Sequence, residues 1–319
     1  MKAKAMAPGL CPRAEELVRL TRAAELGTAR VPRRELELAF LAQAEEFISL
    51  QKGYGFAYIS DGQLKWKDPF RPLLLSMRNV APGPLTRWLE TNTFFRAPLV
   101  SSLPKPKPGI LPRYTHSRLV QERYVLEVPG PFTFAACSIR EGAVDAGGLM
   151  LAYCSALSSL LSSPSLRGLE LVCLNEPYMA LASPSERQLE VWRDALKRLE
   201  GFRLLVGFDM VDASQLLPSL ARIMPEEWLF KVDLTRTPLE ALSMLRSRRY
   251  MGLGVADVDT SLLEDGAQLA RFLGPRIREL GAEELYVMPS ADLRFVPYEL
   301  AKEKLKVLRA TADELLRLS

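Results

Sequence analysis

Six acidic side chains stand at or just beyond the ends of short apolar runs: Asp61, Glu176, Asp209, Asp233, Asp257 and Asp292. A carboxyl group handles protons near neutrality when burial raises its pKa, and several together hold a hard cation such as Mg²⁺ or Mn²⁺ through oxygen. Asp61, Glu176 and Asp233 are the candidate acid–base residues. Asn175, just before Glu176, is suited to a polar substrate group. Arg96 could grip a carboxylate or phosphate. Trp66, Asn92, Asp209 and Asp292 complete the candidate substrate contacts. The competing reading is that an Asp or Asn at such a position only caps the helix that follows.

Other chemistries are poorly supplied. His116 is the one histidine, which leaves little room for imidazole ligands or an imidazole base. The four cysteines, Cys11, Cys137, Cys154 and Cys173, are widely spaced and form no Cys-x-x-Cys pair. Cys11, beside an expected strand end, is the one to watch as a nucleophile, although no histidine lies near it in sequence. The net charge of +4 is spread over mixed surfaces, so no nucleic-acid partner is expected. No apolar run approaches the ~18 residues of a membrane span, and no secretory segment opens the sequence, so a cytoplasmic location is expected. Three asparagines beside many Arg and Glu residues give a thermophile-like composition.

Eight short apolar runs must position these groups: 3–10, 56–60, 124–128, 169–174, 203–208, 228–233, 251–255 and 285–288. Amphipathic helical patterns separate them, among them Glu35 to Leu50, Ser185 to Leu199 and Leu262 to Leu280. Strands alternating with helices predict one α/β domain over 1–319, a (β/α)₈ TIM barrel with its site at the C-terminal ends of the strands. The proline-rich region 64–118 reads as an irregular loop or lid inside it, with Pro104-Lys105-Pro106-Lys107-Pro108 as exposed polyproline II.

Several segments, in order, resemble the cobalamin-independent methionine synthase family, whose barrel is of the type shared with uroporphyrinogen decarboxylase. They are Gly9-Leu10-Cys11-Pro12-Arg13, Ser60-Asp61-Gly62-Gln63, Arg87-Trp88-Leu89-Glu90-Thr91-Asn92 running on to Arg96-Ala97-Pro98, Pro129-Gly130-Pro131-Phe132-Thr133, Asn175-Glu176-Pro177 and Pro289-Ser290-Ala291-Asp292. The resemblance implies a single barrel, as in the short archaeal forms. It also implies a catalytic zinc that activates the homocysteine thiol for methyl transfer from a folate. This chain departs from the pattern at the zinc. Asp209 and Val211 match the histidine and cysteine of the His-x-Cys pair, Asp233 matches the glutamate, and Ala291 matches the last cysteine. Leu10 and Asn175 replace homocysteine contacts.

What the resemblance then implies is a zinc-free paralogue in a methyl transfer system that makes methionine from homocysteine. It would bind substrate or a methyl donor, a folate or a methyl-corrinoid protein, beside a catalytic methionine synthase homologue. Two alternatives stand next to it. One is an active methyltransferase using another metal or none. The other is a decarboxylase or lyase of the wider superfamily, for which Arg13, Arg71, Arg87, Arg96, Arg236 and Arg294 would have to cluster around a polycarboxylate.

Overall fold

The strand-like runs are apolar because most of their residues are enclosed on both faces, as in a parallel sheet covered by helices. In the computed structural model, which describes residues 1–246 and 248–318, the chain forms ten strands. They are β1 (Lys2–Ala5), β2 (Met77–Arg87), β3 (Phe94–Pro106), β4 (Tyr124–Pro129), β5 (Ile139–Arg140), β6 (Leu169–Asn175), β7 (Arg203–Phe208), β8 (Leu229–Asp233), β9 (Tyr250–Ala256) and β10 (Glu284–Pro289). Seven make one parallel sheet in the order β1-β10-β9-β8-β7-β6-β4.

The sheet curls around an apolar interior. Met6, Tyr58, Val125, Leu171, Cys173, Leu205, Leu229, Tyr286 and Met288 pack together inside it. The larger core lies outside, between sheet and helices. Side chains two apart on a strand share a face, so the strands that send in Val125, Leu205 and Leu229 also send in Glu127, Gly207 and Lys231 one step nearer their C-terminal ends.

Of the eight expected strands, the run 56–60 is not one. It lies between β1 and β4, with the Ala57 N–H donating to the Ala5 carbonyl at 2.9 Å and the Ile59 N–H to the Arg123 carbonyl at 2.8 Å. Only Ile59 pairs, as a parallel bridge to Tyr124. Pairing stops because the chain turns sharply, with φ of 73° at Gly62 and 46° at Gln63. The Gln63 side chain then takes over the ladder's work. Its Nε2 donates to the Glu127 carbonyl and its Oε1 accepts from the Glu127 N–H, both at 3.0 Å.

The region 64–118 is not irregular. β2 and β3 form a long antiparallel hairpin, and Pro104 and Pro106 lie within β3 rather than in free polyproline II. Proline hides this from a sequence reading because it removes a ladder donor and is confined to edges and bulges. Here Pro82 and Pro84 sit on edge strand β2, whose register shifts between Pro82 and Leu85. β5 covers the far side of β3 only at Leu99 and Val100.

Candidate functional site

At the C-terminal end of the curled sheet, β4, β6, β7, β8 and the loop after β10 bring charged side chains together. Lys231 rises from the middle of β8, and its Nζ stands 2.6 Å from Oδ1 of Asp209, just past β7. Both side chains are almost wholly enclosed, at 2% and 3% exposure. Asn175 ties the next strand to the same carboxylate, donating from Nδ2 to Asp209 Oδ2 and accepting the Asp209 N–H on Oδ1, each at 3.3 Å. Asp292 caps the short turn after β10 and pairs with Arg294 at 3.2 Å. Glu127 faces this group from β4.

Burial sets the electrostatics. It pushes the Glu127 carboxyl up to about 8, helped by the nearby charge of Asp209, so this acid keeps its proton at neutral pH. Burial pulls the Lys231 ammonium down, but Asp209 and Glu127 outweigh it and hold the lysine above its ordinary value. The result is a buried ion pair beside a neutral acid.

Leu10, Trp88, Glu127, Asn175, Asp209 and Arg294 line the mouth, and the space left is about 20 Å³, room for a single water. Over it lies a second, open groove of about 810 Å³ between the hairpin turn at Leu89–Thr93 and the loops after β7 and β8. Met210, Arg294 and Phe295 line both spaces and separate them. Trp88 packs edge-on against Phe70, Phe95 and Tyr178, fixing the hairpin tip beside the mouth.

The sequence-selected residues divide accordingly. Asn175, Asp209 and Asp292 line the mouth. Asn92 lines the outer groove and is exposed. Asp61 is fully buried away from the cavity. Its Oδ2 accepts the His116 N–H at 2.5 Å and its Oδ1 the Gln63 N–H at 3.0 Å. Glu176 is likewise enclosed: its carboxylate accepts the N–H groups of Phe132 (2.9 Å) and Thr133 (2.7 Å), at the start of the helix Pro131–Cys137, and the Trp192 Nε1–H at 2.7 Å. Asp233 accepts the Met210 N–H on Oδ2 and the Thr235 N–H and hydroxyl on Oδ1; burial raises it to about 6. Asp257 accepts the Asp259 N–H. Asp61, Asp233 and Asp257 cap no helix, since the helices that follow are capped at Phe70, Pro238 and Asp265; each instead holds a local turn by accepting the N–H two residues on.

Trp66 is 3% exposed in the outer core, and Arg96 is spent on the hairpin, donating to the Gly83 carbonyl at 3.1 Å. Of the six arginines, Arg294 alone lines the mouth. Arg13 donates to the Leu64 carbonyl, Arg71 pairs with Asp68, Arg87 holds the hairpin turn, and Arg236 pairs with Asp259. His116 is buried and held down to about 4 by burial and then by Lys65. The Cys11 thiol is buried and pushed well up, so it is no thiolate.

No family model matches the chain. The methionine synthase of Pyrococcus horikoshii is 25% identical to it over 243 residues, 74% of this chain and 70% of that protein. The 5-methyltetrahydropteroyltriglutamate–homocysteine methyltransferase of Burkholderia pseudomallei is 26% identical over 232 residues, 69% of this chain. In sequence the chain is thus similar to proteins named methionine synthase. It spans only 29% of the length of the Burkholderia relative. Among solved structures, the B12-independent methionine synthase of Shewanella sp. shares the fold, with a TM-score of 0.74 and 14% identity over 90% of each chain. A protein from Listeria monocytogenes described as a putative vitamin-B12-independent methionine synthase superposes with a TM-score of 0.72 and 13% identity over 98% of each.

The zinc site that the resemblance implies would draw on His, Cys and Glu donors in tetrahedral array. Of the four positions matched to it by resemblance, Val211 and Ala291 are buried hydrocarbon, Asp209 is ion-paired, and Asp233 is committed to N–H and O–H donors. Among the described residues, no group of three or more His, Cys, Asp or Glu side chains is arranged to hold a metal ion.

Sequence reasoning missed the mouth's two most telling residues, Glu127 and Lys231. The signal was present in Tyr124-Val125-Leu126-Glu127-Val128 and Leu229-Phe230-Lys231-Val232, where one charge sits inside an otherwise apolar strand. Such a charge must be paired in the interior or the strand could not be buried.

Proposed function

We propose that this chain is a zinc-free methionine-synthase-like subunit on a closed (β/α)₈ barrel, with 56–60 as the eighth staple of the ring. It holds a methyl donor or substrate for a catalytic partner in methyl transfer to homocysteine. The observation that carries this reading is the Lys231–Asp209 ion pair, which fills the mouth and leaves about 20 Å³. Thiol activation by zinc needs an open coordination position and soft donors, and neither side of that pair supplies one. The groove of about 810 Å³ above the mouth offers the space for a donor.

The test is to mix the purified chain with a catalytic methionine synthase homologue from the same source. Association on gel filtration and a changed rate of methionine formation are expected. Failure to associate, with an unchanged rate, would sink the proposal.

One observation favours a second reading, a methyltransferase that needs no metal. Glu127, protonated at neutral pH beside the Lys231 ammonium, is placed to donate a proton. Homocysteine methylation by the isolated, chelator-treated chain, abolished in Glu127→Gln, would select this reading instead.

A further inference from the structure

A cavity of about 520 Å³ opens where the helices Pro131–Cys137, Ala146–Leu161 and Glu186–Leu196 meet. It shares no lining residue with the mouth or with the groove above it. Small residues leave the space: Ala135, Ala136, Ala146, Gly147 and Ala182 line it, and none carries a side chain long enough to fill it. A Cβ on Gly147 would already lie 3.3 Å from Val191 Cγ1, so two of the helices touch at this corner. The floor is hydrocarbon. Phe132 and Met150 are 8% and 3% exposed, Ala135 is buried and Val191 is partly buried.

Two exposed guanidinium groups stand at the rim. β5 brings Arg140 there by pairing it with Val100 on β3, and Arg187 lies in the first turn of Glu186–Leu196. Neither side chain makes a hydrogen bond or an ion pair among the described residues. Asp145, the one acid among the described lining residues, accepts the Gly148 N–H at 2.8 Å, while Ser185 and Gln188 cap one another. Two cations against one acid leave the cavity net positive. Single arginines on a surface are ordinary. Two of them over one hydrocarbon floor form the arrangement of a small-ligand site, apolar with a few orienting polar groups and within the roughly 300–1,000 Å³ such sites span.

We infer that this cavity binds an amphiphilic carboxylate, a small molecule with an apolar body and one anionic end. Arg140 and Arg187 hold the carboxylate, whose two oxygens match the guanidinium fork. The body covers Phe132, Ala135 and Met150, and leaving water drives it there. One excess cation suits a carboxylate better than a phosphate ester, which carries about −1.5 to −2. The concave shape and small volume favour a small molecule over a folded partner. The inference goes beyond the proposed function and does not depend on it.

The experiment is isothermal titration calorimetry of the full chain with decanoate held below its micellar concentration. One saturable site per chain is expected. Decyltrimethylammonium, with the same tail and the opposite charge, is expected to bind about tenfold more weakly or less. Arg140→Gln/Arg187→Gln is expected to weaken decanoate binding about tenfold, the sum of two exposed charge contacts. Its thermal melting should not change, since neither side chain has a partner to lose. Ala136→Trp, at an exposed position on the wall, places an indole in the cavity and is expected to abolish binding.

Absence of saturable decanoate binding overturns the inference. So does binding that either folded variant leaves intact, which would put the ligand elsewhere. Equal binding of the cationic amphiphile overturns it as well, because the arginines would then select nothing. Preference for an acidic, apolar peptide at the same residues would overturn the small-molecule assignment. If Ala136→Trp does not fold, the arginine variant decides alone. None of these outcomes bears on the methyl-transfer reading, which stands or falls on association with a catalytic homologue.

Discussion

Gly130 and Glu176 share one space: a Cβ on Gly130 would overlap the Glu176 carboxyl carbon. The glycine has ordinary backbone torsions, φ −69° and ψ 164°, so what it supplies is room rather than a left-handed turn. That room lets the carboxylate reach the first N–H groups of the helix Pro131–Cys137, which have no partner within their own helix. Gly130→Ala should therefore cost at least as much as ordinary core overpacking, roughly 1–3 kcal/mol. Urea denaturation of the variant is the check, and an unchanged midpoint would show that the loop yields freely.

The Glu176 carboxyl is raised to about 7 by burial, against the pull of its N–H donors. The folded chain therefore binds this proton more tightly than the unfolded chain, whose glutamate titrates near ~4.3. Where the folded state holds more protons, stability falls as pH rises. The contribution should be flat below about pH 4, decline between ~4.3 and 7, and be flat again above, with a total on the order of 3 kcal/mol. Glu176→Gln removes the titration, so its stability should lose that slope. Denaturant midpoints measured across the range test this, and an identical slope in the variant would assign the proton elsewhere.

Removing Lys231 leaves Asp209 as a buried charge without its partner. Lys231→Met should destabilise the fold by roughly 3–5 kcal/mol, whereas the uncharged pair Asp209→Asn/Lys231→Met should recover much of that loss. A double-mutant cycle by equilibrium unfolding separates the pair from the packing of the stem. Additive losses would mean that the ion pair contributes nothing specific.

Adding one sulfur should not create a zinc site. Ala291→Cys adds a single thiol to a loop where Val211 offers no donor and Asp209 and Asp233 are already engaged. After dialysis against zinc and then buffer, metal analysis should find no stoichiometric ion in the variant. One tightly held zinc per chain would show that the mouth rearranges around a metal.

Trp88 anchors the hairpin tip to the mouth with three aromatic contacts and lies beneath the Arg294 guanidinium, 5.9 Å from the ring. Trp88→Ala removes the anchor at a cost of about 3–5 kcal/mol, as for other buried aromatics. Because the lost contacts join the tip to the barrel, the first consequence should be local: faster protease cleavage within 89–93 while the parallel sheet stays intact. Cleavage at the native rate would place the hairpin's attachment elsewhere.

The sheet was legible because burial on two faces forces near-continuous apolar runs, and seven of the eight runs are strands of one parallel sheet. The helices at Arg33–Gly53, Glu186–Leu196 and Gly266–Leu280 were legible for the parallel reason, an apolar stripe at helical period. The hairpin was not, because its prolines look like loop until an edge strand gives each missing N–H nowhere it needs to donate.

At the site, residue type and strand-end position picked out Asp209 and Asp292 but passed over Glu127. They did not determine which way each carboxylate turned. Asp61, Asp233 and Glu176 are consumed by backbone N–H groups, since a buried carboxylate takes whatever donors the local turn presents. The sequence alone set the curled parallel sheet and the donor-poor character of Val211 and Ala291. Only the tertiary structure brought Lys231 to Asp209, because that pairing depends on strand register and on the room beside Lys231 at Gly252, two properties of neighbouring strands that no single segment carries.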